Sequence, residues 1–111
     1  MDSVPFRDVP WGRTKMLVGR AVDNPARGNQ HVQVTMTENS GGPGGNHGLH
    51  VHADQDEILI VLEGRAENVS SDGTVRPLRP GDVVYIPAGT PHEDRSVGGP
   101  VRFLVVKTPP D

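Results

Sequence analysis

The sequence predicts an all-β domain, a barrel or sandwich built from short strands. Three observations point there. Glycine and proline, at 14 and 11 residues, are frequent and spread along the chain, which suits many tight turns. Short apolar runs rich in β-branched residues, Ile58–Leu62, Val83–Ile86 and Val101–Val106, recur between turn signals. No 3.6-residue apolar period persists long enough to support a helix.

Taken in order, residues 1–13 carry Phe6 and Trp11 without periodicity and read as an extended arm packed onto the domain formed by residues 14–111. Thr14–Val18 and Gln30–Thr37 read as strands, linked through Asn24-Pro25 and Gly28-Asn29. In the second, Val32, Val34 and Met36 alternate with His31, Gln33, Thr35 and Thr37, so one face is apolar and the other polar. The polar face is expected to meet solvent; turned inward, His31, Gln33 and Thr35 would line a cavity. The stretch Glu38–Asn46 is a Gly-rich loop. No Gly-Lys-Ser/Thr follows it, so it reads as a connection or the lip of a cavity and not as a phosphate cradle.

Downstream, Ser71-Asp72-Gly73-Thr74 is a hairpin turn between Arg65–Val69 and Val75–Leu78, and Arg79-Pro80-Gly81-Asp82 is another turn. The runs Ile58–Leu62, Val83–Ile86 and Val101–Val106 are apolar on both faces and are expected to be buried on two sides. One face looks into a barrel and the other needs a second sheet or a second subunit, so a homodimer is expected. Arg102 interrupts the last run; it reads as the partner of an anionic substrate, an edge residue or half of an ion pair.

At 111 residues the chain makes one domain, and a hydrophobic fraction of 33% leaves room for stabilisation by a subunit or a metal. The net charge is −3 with dispersed Arg and Lys, so no basic stripe awaits nucleic acid. The absence of cysteine removes disulfides, thiolate ligands and a Cys nucleophile. No signal-type apolar region opens the chain and no run approaches ~18 apolar residues, so a cytoplasmic protein without membrane contact is expected.

Four residues carry chemistry. His50 and His52 are one residue apart, so on a strand both rings project from one face. Glu57 follows the turn Ala53–Asp56, and a hairpin there sets its carboxylate beside them. His92 follows Pro87-Ala88-Gly89-Thr90-Pro91. Three imidazoles and a carboxylate suit one divalent transition metal, with Fe, Mn, Ni, Cu and Zn undistinguished, and do not suit Ca or Mg. His47 reads as an exposed loop residue, with a role as base or spare ligand as the alternative. Tyr85 and Phe103 read as core or cavity wall, and Asp54, Asp56, Glu93 and Asp94 as solvated turn carboxylates.

The spacing of Gly44, His50, His52, Glu57 and Gly64, followed by Gly81, Pro87, Gly89 and His92, resembles the two motifs of the cupin family. One position departs: Ser96 stands where that family has Asn. The resemblance implies a small single-domain cupin of the cupin-2 type, a double-stranded β-helix or jelly-roll barrel, with His50, His52, Glu57 and His92 as metal ligands. It also implies a wide range of activities. The leading expectation is a metal-dependent enzyme acting on a small oxygen-bearing metabolite, with a dioxygenase first and lyase, isomerase or polyketide-cyclase chemistry second. A non-catalytic ligand-binding or stress-response protein with a structural metal is the alternative. His31, His47, Tyr85 and Arg102 are the candidate catalytic residues near that site.

Overall fold

The computed structural model describes residues 3, 8–10, 15–22, 24–39 and 48–111. Phe6, Trp11, Thr14, Gly44 and His47 therefore lie outside the described residues. The strands are β1 (Lys15–Val18), β2 (Gln33–Asn39), β3 (Asp56–Glu63), β4 (Ala66–Ser70), β5 (Val75–Leu78), β6 (Val83–Ile86), β7 (His92–Ser96) and β8 (Val101–Thr108). The link between β1 and β2 carries one short 3-10 turn, Pro25–Arg27, capped by the Asn24 side chain. Among the described residues no helix is long and apolar enough to cross a membrane.

The strands form two antiparallel sheets, one ordered β1-β2-β8-β3-β6 and the other β5-β4-β7. Alternation decides what each strand buries. On β3, Glu57, Leu59 and Val61 are buried, while Ile58, Ile60 and Leu62 on the other face are only partly so. The core gathers Leu59, Val61, Ala66, Leu78, Val101, Phe103 and Val105, contributed by both sheets. Gly64 lets the chain leave β3 beside the start of β8. Its φ is +83°, and a Cβ there would run into the Pro100 carbonyl oxygen.

Four expectations are corrected here. The second strand begins at Gln33, not Gln30, because the Asn29 side-chain oxygen accepts from the backbone N–H groups of His31 and Val32. That Asx turn withholds both donors from the ladder and leaves His31 exposed ahead of the strand. The polar face of β2 points inward. Thr35 and Thr37 pair with Val105 and Phe103, and with Gln33 and Asn39 they line a cavity. Met36, on the opposite face, is 0% exposed.

Tyr85 belongs neither to the core nor to the cavity wall. It lies on β6, at an edge of the larger sheet, and its outward face together with that of Val83 stays about three-fifths open, at 61% and 60% exposure. Of the three readings of Arg102, the ion pair holds: it is neither an edge residue nor a cavity residue. β8 lies between β2 and β3, and Arg102 is opposite Glu38 in the ladder. Its Nε and Nη2 donate to Glu38 Oε1 at 2.9 and 2.6 Å, and Nη2 also donates to the Val9 carbonyl at 2.7 Å.

Candidate metal centre

Each member of the predicted ligand set is held by a different device. Glu57 is the first inward residue of β3, between Ile86 on β6 and Lys107 on β8. His92 opens β7. His50 exchanges backbone hydrogen bonds with it, at 2.8 and 2.9 Å, in an isolated bridge. The segment carrying His50 and His52 is thus extended without being a ladder strand. It does not form the expected hairpin with β3, whose partners are β6 and β8. The carboxylate comes from the larger sheet and His92 from the smaller, so the site closes between them. Gly89, at φ +78°, donates its N–H to the His52 carbonyl at 2.9 Å and sets the turn that delivers His92.

The rings converge. Centroid separations are 5.2 Å for His50–His52, 4.3 Å for His50–His92 and 5.9 Å for His52–His92. His50 Nδ1 lies 3.1 Å from the Gly48 carbonyl oxygen, and His92 Nδ1 lies 3.0 Å from that of Thr90. A carbonyl only accepts, so both Nδ1 atoms carry a proton, which in the neutral imidazole makes Nε2 the ligating atom. Glu57 Oε2 lies 3.1 Å from His52 Nε2 and 3.7 Å from His92 Nε2. Glu57 Oε2 and His92 Nε2 are buried and have no hydrogen-bond partner. Leaving two such acceptors unpaired costs about 1–3 kcal/mol each, and a cation between them removes that cost. The donor set fits a divalent transition metal.

The His52 imidazole is held below its ordinary value of 6.5, first by burial, with the Glu57 carboxylate opposing and Lys107, His50 and His92 reinforcing. The neutral, ligating form therefore dominates at pH 7. In the metal-free protein the unfolded chain binds the His52 proton more readily than the folded one. The stability this residue contributes is complete above pH 6.5 and is lost as pH falls through its lower folded value. Metal affinity follows the same direction. A competition titration is expected to show affinity dropping more than about tenfold between roughly pH 7 and pH 5, whereas flat affinity to about pH 4 would contradict imidazole ligation.

The site opens onto a cavity of ≈ 300 Å³ whose walls include Gln33, Thr35, Leu59, Phe103, Val105 and Lys107. Of the candidate catalytic residues, none of those described reaches it. His31 is exposed in a turn, Tyr85 faces outward, and Arg102 is committed to Glu38. His47 is outside the described residues. Two residues that the sequence did not assign to the site line the cavity: Lys107, left unassigned, and Asp94, read as a solvated turn carboxylate. Neither Glu93 nor Asp94 is in a turn; both belong to β7. The signals were there: Phe103, Val105 and Lys107 share a face by alternation, and Asp94 follows His92 at the one-residue spacing that joins His50 to His52.

Two antiparallel sheets clasping three imidazoles and a buried carboxylate define an all-β protein with a candidate metal centre at a cavity. The chain belongs to the cupin family: residues 42–107 match the Cupin domain. It is 48% identical over 65 residues to quercetin 2,3-dioxygenase of Bacillus subtilis, a match covering 59% of this chain and 19% of that protein. It is 34% identical over 88 residues to a germin-like protein of Morus alba, covering 76% of this chain and 42% of that one. The crystal structure of the DMSP lyase DddQ from Ruegeria pomeroyi superposes with a TM-score of 0.72 at 26% identity, covering 86% of this chain and 46% of the lyase. The chain thus spans about a fifth of the dioxygenase and under half of the other two.

Proposed function

We propose that this cupin is a metal-dependent enzyme acting on a small oxygen-bearing metabolite, with oxygenation as the first reaction to test and non-redox lyase, isomerase or cyclase chemistry as the second. The observation that carries this reading is the pair of buried, unpartnered donors, Glu57 Oε2 and His92 Nε2, converging with His50 and His52 beside a cavity. A metal held there supplies Lewis-acid polarisation of a substrate oxygen and, for iron or manganese, the capacity to activate O2.

The chain's own residues supply the rest. Thr35 presents a hydroxyl in the cavity wall, held by the Gln33 amide that also binds Asp111, and Lys107 brings a positive charge to the same wall beside the Asp111 carboxylate. Leu59, Phe103 and Val105 form an apolar side that excludes water. The dioxygenase and lyase relatives support both branches of the proposal, each as a partial match.

Metal analysis of protein purified without chelator, followed by O2-uptake assays across enol and carbonyl substrates, tests it. The expected result is about one equivalent of a transition metal. Less than about a tenth of an equivalent after incubation with each candidate metal would sink the metal-dependent reading. A fully loaded protein with no O2 uptake would turn the search to the lyase and isomerase branch.

A further inference from the structure

We infer that Asp94 is a further metal ligand, oriented by Asn68, so that the centre holds five protein donors and keeps one position for substrate. This rests on the metal reading above and deepens it. Three observations carry it.

The first is distance. Asp94 Oδ2 lies 3.7 Å from His92 Nε2, the same separation as Glu57 Oε2 from that nitrogen. Donor atoms of Glu57, His92 and Asp94 all lie within 4.8 Å of one another, as do those of His50, His52 and His92, and the two groups share His92. With metal–donor bonds of ~2.0–2.2 Å, donors on one ion are separated by roughly 3 to 4.4 Å, so the 3.7 Å contact needs little adjustment, while the two groups must draw together around the ion.

The second is orientation. Asn68 is buried at 4% exposure and lies opposite Asp94 in the β4–β7 ladder. Its Nδ2 donates to Asp94 Oδ1 at 2.8 Å. That bond fixes which oxygen is occupied and leaves Oδ2 turned toward His92. A buried amide whose side chain holds a carboxylate in one rotamer is the usual support for a ligating residue.

The third is charge. Glu57 Oε2 and His92 Nε2 are both orphaned and buried, and Asp94 brings a second carboxylate to the same nitrogen. Two carboxylates and three neutral imidazoles balance a divalent cation, so no net charge is left inside the protein. Four ligands leave two positions on a six-coordinate ion; five leave one. The substrate would then bind through one oxygen atom, and the added carboxylate shifts preference toward harder ions such as Mn2+ and Fe2+.

Water-proton relaxivity of the Mn2+-loaded protein counts exchangeable waters on the ion, and a titration gives the affinity. The expected result for the native chain is one water. Asp94→Ala and the isosteric Asp94→Asn are each expected to weaken Mn2+ binding by about 10–100-fold, and Asp94→Ala to gain a second water. Both variants binding Mn2+ within about twofold of the native protein, with an unchanged water count, would overturn the ligand role and leave the four-residue centre standing. A native chain that binds none of Mn2+, Fe2+, Ni2+, Cu2+ and Zn2+ would overturn both readings together, whereas one that binds only the softer ions and neither Mn2+ nor Fe2+ would overturn the Asp94 role alone.

Discussion

His52→Ala is expected to abolish tight metal binding and to lower the melting temperature in metal-replete buffer by on the order of 15 °C. The His52 side chain is 28% exposed, so its loss opens no hole in the core. What it removes is the ring nitrogen 3.1 Å from Glu57 Oε2. A ligand that binds only the folded state stabilises it by about 4 kcal/mol at a thousandfold excess over Kd, which for a domain of this size is ~4 °C per kcal/mol. Native and variant proteins are therefore expected to melt within a few degrees of each other in chelator and to separate only when metal is added. Differential scanning calorimetry in both buffers reads the difference. An unchanged melting temperature in metal would remove His52 from the ligand set.

The same residue shows why the centre was legible in the sequence. His50, His52 and Glu57 lie close together in the chain, where short-range geometry survives in a linear pattern, but His92 is 35 residues beyond Glu57 and was legible only through the resemblance to the second cupin motif. The cavity wall was harder to read. Alternation on β2 separates two faces but does not say which is inside. The usual rule, apolar inward, failed because both faces are covered: Gln33 and Thr35 face the cavity beside the metal centre, and Met36 on the opposite face is buried as well. Strand β7 gave no hydrophobic signal at all. Its residues His92, Glu93, Asp94, Arg95 and Ser96 are all polar because one face turns to the centre, so the segment read as a turn and Asp94 as a solvated carboxylate. Arg102 and Glu38 are 64 residues apart, and only the β2–β8 register makes them neighbours.

That register carries the second large effect. Arg102→Ala is expected to destabilise the protein by about 3–5 kcal/mol, because it takes two charge-assisted hydrogen bonds from a carboxylate in a place water does not reach. The side chains of Arg102 and Glu38 are 1% and 7% exposed. Nε and Nη2 both donate to one Glu38 oxygen, and Nη2 reaches on to the Val9 carbonyl, so a truncation takes a donor from more than one acceptor. Glu63, 3.9 Å from Nη1 and 38% exposed, is too solvated to compensate. Glu38→Ala is expected to cost a similar amount by removing the carboxylate to which the guanidinium donates twice. The double replacement Arg102→Met with Glu38→Leu should recover most of the loss, since two apolar side chains need no partners. Urea denaturation measures each variant through the midpoint, with the slope unchanged if only stability has moved. Metal affinity is expected to stay within about twofold of the native value for Arg102→Ala, because Arg102 lies on the face of β8 opposite Phe103, Val105 and Lys107. A loss below about 1 kcal/mol for Arg102→Ala would mean that water reaches Glu38 and that the pair is an exposed one.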